Sequence, residues 1–214
     1  MRESNRLCTI RSHSVGLGIP PRNTSVPRRV ARRVTTPLRI LLISGSTRDS
    51  STNTAALRTI AAEAPADITA TLYDGLVELP QFVPGDDPAP ATVEALRKQL
   101  GESDAVLICT PEYAGMIPGS LKNLLEWTVG TGDLVDKPVA WTNVAYPGRG
   151  EAAVETLCTV LGYVSADIAE AACGRITVLR EQVGEDGLVA DGEVRRQLSL
   201  VLPAIAAHVR EKTA

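Results

Sequence analysis

Three stretches of this chain combine residue types that grip anions or flat rings. The first reads Gly45-Ser46-Thr47-Arg48-Asp49-Ser50-Ser51-Thr52-Asn53. A phosphate needs hydrogen-bond donors, and this stretch offers backbone N–H groups, serine and threonine hydroxyls and one guanidinium. Arg48 can donate two parallel hydrogen bonds to phosphate oxygens. A helix starting here adds positive partial charge. The stretch lacks the Gly-Lys-Ser/Thr ending of a P-loop and the GxGxxG spacing of a Rossmann dinucleotide site. A plain turn, with Ser51 as an N-cap and Arg48 in solvent, accounts for the same residues.

The second stretch runs from Pro111 through Glu112, Tyr113, Ala114, Gly115, Met116 and Ile117 to Pro118. Prolines stiffen both ends, and glycine permits close approach of backbone to a ligand. A rigid loop carrying a ring side chain suits the edge of a flat heterocycle. An ordinary strand-to-helix connection with Tyr113 packed on the core is the alternative. The third stretch, Asn143-Val144-Ala145-Tyr146-Pro147-Gly148-Arg149-Gly150, is small and glycine-rich, and fits a ligand's other edge or a plain turn.

These stretches matter only if the fold brings them together. Leu38–Ser44 is a nearly continuous apolar run, as expected of a strand buried on both faces. Asn53–Ala64 reads as a helix ended by Pro65, Ile68–Tyr73 as a strand, and Pro90–Leu100 as a helix opened by proline. Asp104–Thr110 is a third strand and Pro118–Val129 a helix with Leu121, Leu124, Leu125 and Trp127 inward. Lys137–Asn143 is a fourth strand and Gly150–Leu161 a helix. A fifth strand is expected within Val164–Ala172, and Gly192–Val209 is a closing amphipathic helix. Alternating strands and helices predict an α/β fold with a parallel sheet covered on both faces. The length favours the five-stranded doubly wound order 2-1-3-4-5, a three-layer α/β/α sandwich. All three stretches then leave the carboxyl ends of strands, where such sheets bind ligands.

Composition narrows the chemistry. Cys8, Cys109, Cys158 and Cys173 form no CxxC pair, and His13 and His208 are the only histidines, so no zinc or iron–sulfur ligand set is present. The thiols are those of a reducing compartment, and a cytoplasmic location is expected. No apolar run approaches the roughly 18 residues that span a bilayer. Residues 1–37 carry eight arginines against Glu3, a net charge of +7, which leaves −10 on the remainder of a chain whose total is −3. That acidic remainder offers no general attraction to nucleic acid or to an anionic membrane. The basic segment has no apolar periodicity and is expected to be a disordered extension; a transit peptide or a misassigned start gives the same profile. Residues 38–214 form the one expected domain.

The segments GSTRDSSTN after the first strand and PEYAGMIPGSLKNLLEW after the third resemble the two signatures of NADPH-dependent FMN reductases. The resemblance covers roughly residues 38–212 and implies a flavodoxin-like fold with non-covalent FMN and NADPH or NADH as donor. It implies that Ser46, Arg48, Ser51, Asn53 and Thr54 hold the phosphate. Pro111, Glu112, Tyr113, Ala114 and Gly115 match positions lining the isoalloxazine ring, and Asn143, Val144, Ala145 and Tyr146 the segment on its far edge. Many relatives have asparagine where this chain has Ala114. Members are usually homodimers or homotetramers, which makes Trp127 and its helix candidates for an interface; internal packing of Trp127 is the alternative.

The implied reaction passes hydride from the nicotinamide to FMN and then electrons to a small acceptor, a quinone, free flavin, azo dye or metal oxyanion, in a ping-pong scheme. The cofactor carries the chemistry, so no catalytic side chain is assigned. The Glu112 carboxylate would be unfavourable beside a forming anion, and its backbone is the expected contact. A flavodoxin-type electron carrier without its own NAD(P)H turnover is the main alternative. An enzyme that releases FMN as a reduced substrate is another, and a redox-inert regulator on the same fold a third. No basic pair in the sequence discriminates NADPH from NADH.

Overall fold

A computed structural model describes residues 37–85 and 88–213. What was expected of residues 1–36, including Cys8, lies outside them. The strands are β1 Leu38–Ser44, β2 Ile68–Tyr73, β3 Ala105–Cys109, β4 Pro138–Asn143, β5 Asp167–Ile168 and β6 Gly174–Arg175. The helices are α1 Thr52–Ala62, α2 Ala91–Glu102, α3 Gly119–Trp127, α4 Glu151–Tyr163, α5 Gly192–Leu198 and α6 Val201–Thr213. The strands pair in parallel in the order β2-β1-β3-β4-β5, with β6 also on β4.

Strand alternation divides the core into two layers. Ile40 and Leu42 of β1, with Leu107 of β3, face α1, α5 and α6, whereas Leu41 and Ile43, with Val106 and Ile108, face α2, α3 and α4. Leu57, Leu96, Leu107 and Leu121 are fully enclosed. Burying each such side chain stabilises the fold by about 1.5–3 kcal/mol. Apolar runs in β1 and β3 therefore reflect strands covered on both sides.

The fifth strand departs from the expected single run. It is cut into β5 and β6 by a 3₁₀ turn at Glu170–Ala172. The segment Ala169-Glu170-Ala171-Ala172 has strong helix formers and no β-branched residue, so it curls instead of extending. The Trp141 N–H, facing the break, is taken by Cys173 Sγ at 3.4 Å. Pairing resumes where Ile176 N donates to Asn143 O at 2.9 Å. The closing helix is also two helices, broken at 199–200. Pro203 cannot donate to the preceding turn, so it sits at the start of α6.

Trp127 packs internally. It is 2% exposed, meets Phe82 edge-on with ring centroids 5.0 Å apart, and donates from Nε1 to Pro80 O at 2.9 Å. Among the described residues no helix is long and apolar enough to cross a membrane, and no cluster of His, Cys, Asp and Glu could hold a metal.

Candidate active site

The first stretch, now loop 1, leaves β1 at its carboxyl end. Gly45 N donates to Cys109 O at 2.8 Å, which carries the β1–β3 ladder one residue past the strand. A Cβ on Gly45 would lie 2.2 Å from Thr110 Oγ1, so only glycine fits. Ser44 Oγ and Thr54 Oγ1 share a hydrogen bond of 2.8 Å, tying the strand end to α1. Ser51 caps α1, accepting from Thr54 N at 3.4 Å. The loop between these anchors is pushed outward, with Ser46 half-buried and residues 47–50 exposed.

That loop is a cradle of donors. Ser46 Oγ accepts from Arg48 N at 3.3 Å, and Arg48 Nη2 reaches Ser50 O at 3.4 Å. Among the described residues, the backbone N–H groups of Thr47, Asp49, Ser50, Ser51 and Thr52 meet no protein acceptor. Among the described residues Arg48 has no carboxylate partner. Donors converging at a helix N-terminus are the donor set a phosphate takes. Asn53 and Thr54 take a different part from Arg48. Asn53 is 7% exposed and accepts from Cys109 Sγ at 3.2 Å, so it anchors α1 to β3 from beneath the loop. Burial pushes the Cys109 thiol far above its ordinary pKa, so it stays protonated and unreactive.

The second stretch, loop 2, folds into a tight hairpin. Tyr113 N donates to Met116 O at 3.0 Å and Met116 N to Tyr113 O at 3.1 Å. Ala114 and Gly115 between them have φ of 51° and 73°. Two positive φ values make this a type I′ turn, which asks for Asn-Gly. Tyr113 and Met116 are 50% and 56% exposed, so the hairpin presents an apolar rim beside the cradle. Glu112 turns away: its Oε2 accepts from Ala153 N, in the first turn of α4, at 3.4 Å. A carboxylate there is favoured by the helix dipole.

The third stretch, loop 3, is held from within. Asn143, 3% exposed, accepts from Ala145 N at 2.8 Å and donates from Nδ2 to Gly150 O at 3.0 Å. Val144 is buried, while Tyr146 is 67% exposed and starts a turn in which Arg149 N donates to Tyr146 O at 2.9 Å. Gly150 has φ 82°, and a Cβ there would lie 2.4 Å from Asn143 Nδ2.

Register brings the three loops side by side. Ser44 lies opposite Cys109, and Cys109 opposite Thr142, so loops 1, 2 and 3 leave neighbouring strands at one edge. Ser46, Arg48, Tyr113, Ala114, Gly115 and Tyr146 are accessible there; Ser51, Asn53, Asn143 and Val144 support them from below. Ser44 and Met116 were missed. Ser44 closes an apolar strand with a hydroxyl, a signal that could have been weighed; Met116 gains its place only from the hairpin.

The sequence profile of NADPH-dependent FMN reductases matches residues 38–172. The chain belongs to that family. Its relatives include a quinone reductase of Escherichia coli (strain K12), 36% identical over 106 residues, covering 48% of this chain and 55% of that one. The chain thus spans about half the length of this curated relative. A 2-hydroxy-1,4-benzoquinone reductase of a Burkholderia species is 25% identical over 189 residues, 82% of this chain and 98% of its own. The fold is shared with FerB, a flavoenzyme NAD(P)H:(acceptor) oxidoreductase of Paracoccus denitrificans. Its TM-score is 0.68 at 24% identity, covering 81% of this chain and 98% of that one. The flavodoxin-like reading of the fold stands, and loops 1 and 2 both fall inside the matched family region.

Proposed function

We propose that this family member binds FMN non-covalently and uses it to oxidise NADPH or NADH, delivering the electrons to a small acceptor such as a quinone. The observation that carries the reading is the set of free backbone donors at 47 and 49–52 around an Arg48 with no carboxylate partner among the described residues, one strand away from a rigid apolar rim. These residues fit a phosphorylated flat ring: anion donors at one end, a stiff hairpin at the other. The family's relatives act on quinones, azo dyes and flavins by name, which supports the same reading.

FMN, when bound, supplies the hydride chemistry. The chain supplies position and field. Loop 1 and Arg48 hold the phosphate. The N–H groups of Ala114 and Gly115, which meet no protein acceptor, are donors for the ring's polar edge. The pull of α4 on Glu112 keeps a carboxylate off that edge. Tyr113, Met116 and Tyr146 are exposed at this edge and would border the bound ring; nicotinamide and acceptor would use the same exposed side in turn, a ping-pong order.

The test is an absorbance spectrum of purified protein supplied with FMN, repeated anaerobically with NADPH or NADH and then with a quinone. A visible flavin band that bleaches with the nucleotide and returns with quinone is expected. Bound flavin that neither nucleotide bleaches would make the protein an electron carrier. A preparation that takes up no flavin ends the proposal.

A further inference from the structure

The fold treats its sulfur atoms unequally. Among the described residues they belong to Cys109, Cys158, Cys173 and Met116. Cys109 is fully enclosed, its thiol donates to Asn53 Oδ1, and burial keeps it protonated. Cys158 is 3% exposed. Cys173 is half-buried, and its Sγ accepts from Trp141 N and donates to Ala169 O, each at 3.4 Å. Met116 is the one sulfur residue of the four that is open to solvent, at 56% exposure.

The backbone of Met116 is fixed while its side chain is not enclosed. Met116 N and O both bond to Tyr113, and the chain then turns into the core at Ile117 and Pro118, which are buried. The residue is therefore held in loop 2, on the middle one of the three strands whose loops meet at this edge. Methionine usually serves a core by filling irregular gaps, and here it fills none. What an exposed thioether offers instead is chemistry: it takes one oxygen atom from a peroxide and becomes a polar sulfoxide.

We propose that Met116 is a redox-modification site, oxidised to the sulfoxide by hydrogen peroxide formed at this edge, and that the polar rim so created slows the reduction of apolar acceptors while sparing hydrophilic ones. The source of oxidant rests on the flavin reading. Peroxide forms when dioxygen, in place of the acceptor, takes two electrons and two protons from the reduced cofactor. One peroxide oxygen then passes to the Met116 sulfur. The O–O bond breaks, an S–O bond forms, the sulfur is oxidised by two electrons, and the other oxygen leaves as water. The product replaces an apolar group with a hydrogen-bond acceptor, next in the chain to the Ala114 and Gly115 N–H groups that meet no protein acceptor. Turnover in the absence of an acceptor thereby marks its own enzyme.

The test uses the full chain loaded with FMN and run in air with NADPH or NADH and no quinone, followed by mass analysis of its peptides. One added oxygen on the Met116 peptide is expected before any on those of Cys109, Cys158 or Cys173, and none when dioxygen is excluded. KM for 2-methyl-1,4-naphthoquinone should then rise by roughly tenfold, the scale of one lost apolar contact, with KM for ferricyanide unchanged. Methionine sulfoxide reductases should reverse the rise. Met116→Leu, whatever its starting KM, should show no change on the same treatment. Cysteine oxidised ahead of Met116, a sulfoxide that leaves the quinone KM unchanged, or the same rise in Met116→Leu overturns the proposal. A second arm adds hydrogen peroxide to protein free of flavin. Protein that turns over with FMN but resists added peroxide at Met116 sinks this inference alone. Protein that takes no FMN but is oxidised at Met116 by added peroxide sinks the flavin reading alone, and the modification site stands.

Discussion

Arg48 and Ala114 carry opposite lessons about single residues. Arg48 is exposed, its guanidinium donates to Ser50 O, and no carboxylate among the described residues pairs with it, so its removal leaves the fold alone. Arg48→Ala is expected to weaken FMN binding by about 1.5–3 kcal/mol, the worth of a hydrogen bond to a charged group, with thermal stability unchanged. Titration of apo-protein by flavin fluorescence measures it, and equal affinity in the variant would remove Arg48 from the phosphate. Ala114 holds a left-handed conformation, at φ 51°, with a Cβ that resents it. Asparagine is favoured at the first central position of a type I′ turn for conformational reasons, so its occurrence in relatives needs no contact with substrate. Ala114→Gly and Ala114→Asn are each expected to stabilise the protein by about 1 kcal/mol, visible as a rise of roughly 2–4 °C in Tm. A fall in Tm would mean that the hairpin does not adopt this turn.

At the scale of the element, the site depends on how α1 starts. Ser51 satisfies the Thr54 N–H and fixes the point where loop 1 ends. Ser51→Ala is expected to cost about 1 kcal/mol, the usual loss of an N-cap, read from urea unfolding. Flavin affinity should fall as well, because the free donors at 47 and 49–52 are aimed by that cap. A variant that loses stability but keeps full affinity would show that the cradle is positioned by the Ser44–Thr54 bond instead. Loops 2 and 3 are organised differently, each by its own bonds, and Glu112 ties loop 2 to the first turn of α4, the helix that follows loop 3.

Across the whole molecule, the edge of the sheet away from the site is stapled by charge. Asp167 at the start of β5 accepts from His208 Nε2 at 2.6 Å and Lys212 Nζ at 2.7 Å, both on α6. Partial burial alone would raise the Asp167 pKa, but the hydrogen bonds and charges of Lys212 and His208 outweigh it and hold the carboxyl below its ordinary value. A lowered folded pKa means stability that is present above the ordinary carboxylate range and lost as pH falls through the folded value. Wild type is therefore expected to begin losing this contribution below about pH 4, and Asp167→Asn to lack it at every pH. The difference between the urea midpoints of the two should be largest at pH 6 and shrink as pH falls below the ordinary carboxylate range. Equal midpoints at pH 6 would show that the staple contributes nothing.

The sequence by itself determined the α/β class, the strand order and the sheet edge at which the three loops meet, because doubly buried strands and the loops after them leave a local signature. It marked Gly45–Asn53 and Pro111–Pro118 as the two stretches that matter, and both lie side by side. Local pattern could not divide labour within them. Ser51, Asn53 and Asn143 look like ligand donors in sequence, yet their side chains are drawn into caps and buried bonds whose partners, such as Cys109 for Asn53, are far along the chain. The break in the fifth strand was hidden for a related reason: pairing, not propensity, decides where an edge strand runs. Only the tertiary structure closed the core over Cys109 and left Met116 open at the edge where three loops meet. A juxtaposition of distant residues is made by packing, and packing is where spacing along the chain stops carrying information.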